Sequence, residues 1–172
     1  YVRGAITPGK WKVVAGKAKV VQSPAKYHVE IELRTKTTLA PQKDRKPYKP
    51  RVAKKEAGWY AGDFHVHSQD STDATPSIDD IAVYAQAHGL DFVEISDHNV
   101  FGGQDYFADA ATEHPDLLLL PGVEYTTYAG HANGIGATRW VDHKVGQPGI
   151  TIDGAVDALH EQGALFSINH PK

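Results

Sequence analysis

Two histidines separated by one residue, in Gly62-Asp63-Phe64-His65-Val66-His67-Ser68, are the side chains in this chain best suited to chemistry. Side chains two apart on a strand point to the same face, so His65 and His67 can hold one metal ion between them without bending the backbone. Further ligand types stand at the ends of separate apolar runs: Asp97-His98, Glu124 and His170. Active sites of α/β barrels are built at the C-terminal ends of strands. The pattern therefore predicts a multinuclear metallohydrolase centre that works with metal-activated water. His131 opens its segment instead of closing it, so either its strand runs the other way or it lies on the preceding loop. Cys is absent, which excludes disulfides and Cys-based zinc sites and leaves His, Asp and Glu as ligands.

The elements that would position these residues follow from local pattern. Residues 1–38 alternate in short runs such as Trp11-Lys12-Val13-Val14, Lys17 to Val21, and Tyr27 to Leu33, punctuated by Pro8-Gly9 and Ser23-Pro24. They predict a small accessory sheet, part of a β-sandwich. Residues 39–57 carry three Pro among many Lys and Arg and predict an extended basic linker. The rhythm changes at Gly58-Trp59-Tyr60. After the His-x-His strand, Thr75-Pro76-Ser77 starts a helix with Ile78, Ile81, Ala82 and Ala85 at helical spacing, and Gly89 ends it. Residues 91–98 predict a strand, 104–113 a helix, 117–125 an apolar run ending near Glu124, 131–137 a strand, 152–162 a helix, and 164–170 a last strand. Alternating strands and helices imply parallel strands in an α/β sheet or barrel.

Composition is that of an ordinary globular protein, 41% hydrophobic and 23% charged. The net charge of −3 conceals a split. Residues 1–60 hold fifteen Lys and Arg against four Asp and Glu, and residues 61–172 hold three against seventeen. Two units with different jobs are implied, and metal ions would neutralise part of the acidic surplus. The basic stretch 43–55 lacks interleaved aromatics apart from Tyr48, so it reads as a solvated linker and not as a nucleic-acid site. No apolar run approaches the roughly 18 residues of a membrane span. The chain begins without Met and shows no signal peptide, as a processed product or a fragment would, and either is compatible with export to the periplasm or beyond.

The pieces Asp63-Phe64-His65-Val66-His67-Ser68, Ser71-Thr72-Asp73, Ile95-Ser96-Asp97-His98, Gly122-Val123-Glu124, Gly130-His131 and Asn169-His170-Pro171 resemble the PHP (polymerase and histidinol phosphatase) phosphoesterase domain. The lead-in Gly58-Trp59-Tyr60 and the run from Gly130 to Gly136 look most like its CehA/McbA-like metallohydrolases. The resemblance implies the N-terminal half of a distorted (β/α)7 barrel over residues 58–172, with two or three divalent ions (Zn, Mn or Fe). By that analogy His65 and His67 bind the first ion and Glu124 bridges first and second. His131 and His170 complete the second, and Asp73 and His98 serve a third. The family ends its site with a later Asp-x-His that this chain lacks. The missing strands and ligands are expected from a longer version of the same protein, and less readily from a second chain.

The implied reaction is ester hydrolysis of a small molecule, with phosphate esters as the typical substrate. Carboxyl or carbamate esters, and a metal-stabilised module without activity, stand as alternatives. A phosphate site ordinarily uses Arg or Lys, and the catalytic half offers only Arg139, Lys144 and Lys172. Among the other histidines, His88 and His160 sit where helix C-termini favour a cation, His28 falls in the N-terminal region and His114-Pro115 reads as a turn. His143 lies in a Gly/Pro-bearing loop that could overhang the site and touch substrate.

Overall fold

The computed structural model describes residues 8–16, 20–31, 48–51 and 56–170. The chain divides into two units, residues 2–45 and 46–172. In the first, residues 8–16 and 20–31 form no strand, and their apolar side chains are open, with Val14 85% and Val21 86% exposed. The expected accessory sheet is thus not found among the described residues, and the rest of its segments lies outside them. An alternating segment becomes a strand only when a neighbour takes its backbone bonds and an apolar face covers alternate side chains. Among the described residues no such cover is present. Most of the stretch read as a linker also lies outside the described residues. Its Tyr48 belongs to the second unit, donating its hydroxyl to Leu119 O (2.6 Å) and meeting the Phe107 ring edge-on.

The second unit is mixed α/β. Its elements are β1 (Gly62–Val66), α1 (Ile78–Ala87), β2 (Phe92–Ile95), a 3-10 turn (Gly102–Tyr106) running into α2 (Phe107–Glu113), β3 (Leu118–Pro121), β4 (Glu124–Thr126), β5 (His131–Ile135), α3 (Ile152–His160) and β6 (Leu165–Ile168). Helix α1 begins at a capping box: Ser77 Oγ accepts from Asp80 N, and the Asp80 carboxylate accepts from Ser77 N. Ile78, Ile81, Ala82 and Ala85 then form one buried stripe. Gly89, at φ +72°, turns the chain out of the helix. The stripe packs on Val93 and Ile95 of β2 and on Leu117 and Leu119, with Phe107 and Ala110 of α2 closing the cluster. A second cluster of Val123, Ala137, Leu159 and Ala164 lies under α3. Among the described residues no helix is long and apolar enough to cross a membrane.

Two three-stranded sheets result. Strands β1, β2 and β3 are parallel, as the sequence pattern implies. Strands β4, β5 and β6 are antiparallel, which corrects the expectation of parallel strands throughout. The apolar run 117–125 is not one strand but breaks at Gly122-Val123 into β3 and β4. Only four residues then join β4 to β5, a hairpin-length link that cannot make a parallel crossover. An isolated parallel bridge between His98 and Glu124 continues the first sheet into the second. Strands β1, β2, β4 and β6 therefore share one direction and β5 alone is reversed. This reversal brings His131, the first residue of β5, to the same edge as residues that close the other strands. Of the two placements open for His131, it is the reversed strand that occurs.

Glu94 of β2 is fully buried and touches the backbone where β3 gives way to β4. A Cβ at Gly122 would overlap Glu94 Oε1, so Gly122→Ala should cost about 1–3 kcal/mol of stability in urea unfolding, the usual penalty of overpacking. Burial pushes the Glu94 carboxyl up from its ordinary 4.5 to about 8, against the opposing hydrogen bond from Asn133. The folded protein thus holds this proton more tightly than the unfolded chain. The stability it contributes is complete below about pH 4.5 and is lost as pH rises towards 8. Between pH 5 and 8 wild type should lose more stability than Glu94→Gln, by at most ~1.4 kcal/mol per pH unit. Equal slopes for the two proteins would refute this assignment.

Candidate metal centre

Glu124, the first residue of β4, is the pivot of the shared edge, and its side chain is 1% exposed. Its Oε2 lies 3.2 Å from His65 Nε2, 3.1 Å from His67 Nε2 and 3.0 Å from His98 Nδ1. Its Oε1 lies 2.9 Å from His131 Nδ1 and 3.2 Å from His170 Nε2, and accepts from Asn169 Nδ2 at 3.0 Å. Burial alone would raise the Glu124 carboxyl. The Asn169 bond, the nearness of His98 and His65, and the His131 bond outweigh it and hold the group at about 2. On the outer side, Asp73 Oδ1 is 3.1 Å from His67 Nδ1 and Asp73 Oδ2 is 3.2 Å from His98 Nε2. Bonds from the Ser71 hydroxyl and His67 keep Asp73 far below the usual carboxylate range.

Local structure explains the convergence. His65 and His67 share one face of β1 and its end, with Nε2 atoms 3.0 Å apart. Ser68 N and Oγ both donate to the buried Asp97 carboxylate, at 2.6 and 2.7 Å, clasping the end of β1 to the end of β2. His98 Nδ1 also lies 2.6 Å from Thr126 Oγ1. Asn99 sits in the left-handed region at φ +53°, which Asn tolerates better than most residues. There its amide pairs reciprocally with Thr126 N and O, at 2.9 and 3.0 Å.

The donor chemistry fits divalent cations. His65 Nε2, His67 Nε2 and Glu124 Oε2 form a triangle with edges of 3.0, 3.1 and 3.2 Å. Three ligands of a tetrahedral site with bonds near 2.0–2.1 Å stand ~3.3 Å apart. Two further groups at this edge have ligand atoms within 4.8 Å of one another: His98, Glu124 and His131, and His67, Asp73 and His98. A neutral imidazole has one lone pair and one N–H. His67 and His98 each face Glu124 with one ring nitrogen and Asp73 with the other. A lone pair aimed at the Glu124 side therefore leaves an N–H to donate to Asp73, the arrangement that orients many metal-bound histidines.

All seven residues expected as ligands, His65, His67, Asp73, His98, Glu124, His131 and His170, lie together. His143 does not join them. Tyr125 alternates with Glu124 and takes the opposite face of β4, where its hydroxyl donates to Asp142 O. The loop with His143 is tied to that face, and the ring lies edge-on to Trp140, 6.1 Å between centroids. His114 is more than a turn residue, since Nδ1 meets Gln86 Oε1 and Nε2 meets Asp79 Oδ1, both at 2.7 Å, strapping α2 to α1. With both nitrogens engaged, the group Asp79, Glu113 and His114 reads as this strap. Sequence reasoning missed the supporting residues Ser68, Asn99, Thr126 and Asn133. Asn133 had a signal, since it stands two residues after His131 and so shares its face.

The family model for the PHP domain matches residues 63–148, half of the chain. Among solved structures, one similar protein is a two-domain protein from Bacteroides vulgatus, named as containing a predicted PHP-like metal-dependent phosphoesterase. It is 24% identical with a TM-score of 0.47, over 62% of this chain and 34% of that one. Another, from Bifidobacterium adolescentis, has a name that proposes a metal-dependent phosphoesterase. It is 24% identical with a TM-score of 0.36, over 51% of this chain and 29% of that one. The chain thus spans about a third of the length of the structures it matches. No curated protein matches it. Seven ligand-type side chains on one edge, six of them within the matched residues 63–148, and the family match itself lead to one conclusion: this chain belongs to the PHP domain family.

Proposed function

We propose that this chain carries the metal-binding face of a metal-dependent hydrolase that cleaves phosphate esters with activated water. The observation that carries the reading is the single buried carboxylate of Glu124, with histidines from β1 and the end of β2 on one oxygen and His131, His170 and Asn169 on the other. In this reading His65, His67 and Glu124 hold one divalent ion, and Glu124, His131 and His170 hold a second. His98 and Asp73 serve a third, outer ion. Divalent ions bound there lower the pKa of a coordinated water towards neutrality and polarise the ester oxygen. The chain's own part is to present imidazole lone pairs and to keep Glu124 ionised. The outer edge of β6 is unpaired among the described residues, and Ile168 is 83% exposed. That suits continuation of the sheet by later strands of a longer protein, which would complete a barrel.

One observation favours carboxyl or carbamate esters instead. Among the described residues from 61 on, Arg139 and Lys144 are the only Lys and Arg, and Lys144 is paired with Asp142 at 2.9 Å. A phosphate would therefore depend on the ions for its anchoring.

Nitrophenyl phosphomonoester, phosphodiester and carboxyl ester, offered to the complete protein with its metals quantified, separate these readings. The phosphomonoester or diester should be turned over fastest, and His65→Ala should lose metal and at least ~100-fold in rate. Preference for the carboxyl ester would favour the second reading. Equal rates in wild type and His65→Ala would exclude this site as the source of activity, and bound metal without turnover of any ester would make the chain a metal-stabilised module. Asp73→Asn should bind one ion fewer by elemental analysis. An unchanged count with weaker binding would make Asp73 an orienting acceptor for His67 and His98.

A further inference from the structure

Behind the histidines lies a chain of side-chain amides that the proposed reaction does not use. Asn133, on β5 and 3% exposed, is opposite Glu124 in the β4–β5 register and opposite Ser167 in the β5–β6 register. Its Nδ2 donates to Phe64 O, the carbonyl just before His65, and to Glu94 Oε2 at 3.1 Å. Its Oδ1 accepts from Asn169 Nδ2 at 3.1 Å, and Asn169 Nδ2 also donates to Glu124 Oε1 at 3.0 Å. An amide side chain offers two N–H groups and one carbonyl oxygen. Asn133 uses both N–H groups and its carbonyl oxygen to join β1, β2 and the end of β6 beside Glu124. The amide is fixed in sense, because the backbone carbonyl Phe64 O can only accept, so Nδ2 is turned to Phe64 and the carbonyl of Asn133 must face Asn169.

That sense is transmitted. With Asn133 Oδ1 as its acceptor, Asn169 must present Nδ2 and not Oδ1 to Glu124. We propose that Asn133 and Asn169 are positioning residues that fix the carboxylate plane of Glu124, so that Oε1 is turned to His131 and His170 while Oε2 is left to His65, His67 and His98. The inference rests on the proposed metal centre and adds how its shared carboxylate is aimed. Removing the amide donor frees Glu124 to rotate about its terminal torsion, a broad two-fold well with little restoring force. Partners of this kind, once removed, typically cost 10–100-fold in metal affinity.

The test is cobalt(II) titration of the full chain, read by visible absorption and calorimetry, with thermal unfolding of the metal-free proteins alongside. Asn169→Ala and the isosteric Asn169→Asp, which replaces the donor with an acceptor, should each weaken cobalt binding by ~10–100-fold and alter the visible bands. Their metal-free forms should still fold cooperatively, with midpoints lowered by the lost bond to Glu124, so the altered visible bands at saturating cobalt are the readout that a purely structural role would not move. Asn133→Ala should weaken binding likewise, and if it fails to fold the Asn169 pair decides. Wild-type affinity and spectrum in both Asn169 variants would overturn the proposal while leaving the metal centre intact. Failure of wild type to bind cobalt, with His65→Ala no different, would remove the metal centre itself and this inference with it.

Discussion

A carboxylate buried to 1% exposure is costly unless charge and hydrogen bonds compensate it, and the edge where the strands of the second unit meet is organised around meeting that cost for Glu124. The backbone contributes as much as the side chains. Glu124 N donates to Ser96 O and Asp97 O, at 3.0 and 3.2 Å, and Glu124 O accepts from Asn99 N at 3.1 Å. The start of β4 is thereby welded to the end of β2, the strand that leads to His98. A shift of one strand against the other would break these bonds, so the separation of Glu124 and His98 is a property of the sheet and not of two independent rotamers.

This dependence explains which features were legible in the chain and which were not. The ligand types at the ends of residues 91–98, 117–125 and 164–170 were readable because polar residues closing apolar runs violate the burial pattern. Helix α1 was readable from its stripe and its Ser77 cap, and Gly89 from its place after them. The direction of β5 was not, since period-two alternation is blind to polarity along a strand. The decisive cue was the shortness of residues 127–130. The run 117–125 concealed a break because Gly122-Val123 is as apolar as its neighbours, although the close approach of Glu94 demands a residue without a side chain there.

In the N-terminal stretch spacing alone does not decide. Val13, Tyr27 and Val29 have the spacing of a strand, but each is at least 46% exposed, so among the described residues the pattern stands without an apolar face covering it. The amides Asn133 and Asn169 were invisible as a pair because 36 residues separate them and only the β5–β6 register brings them together. Long-range polar contacts of this type leave no local periodic trace.

Exposure around the cluster is uneven. The side chains of His170 and Asp73 are 56% and 52% exposed and that of His65 is 32%, whereas those of His67 and His131 are below 20% and that of Glu124 is nearly sealed. Solvent reaches the cluster most freely along the rim formed by His170, Asp73 and His65. In the proposed centre a chelator or an incoming cation would meet those three side chains first, so exchange at the rim would run ahead of exchange at the pivot.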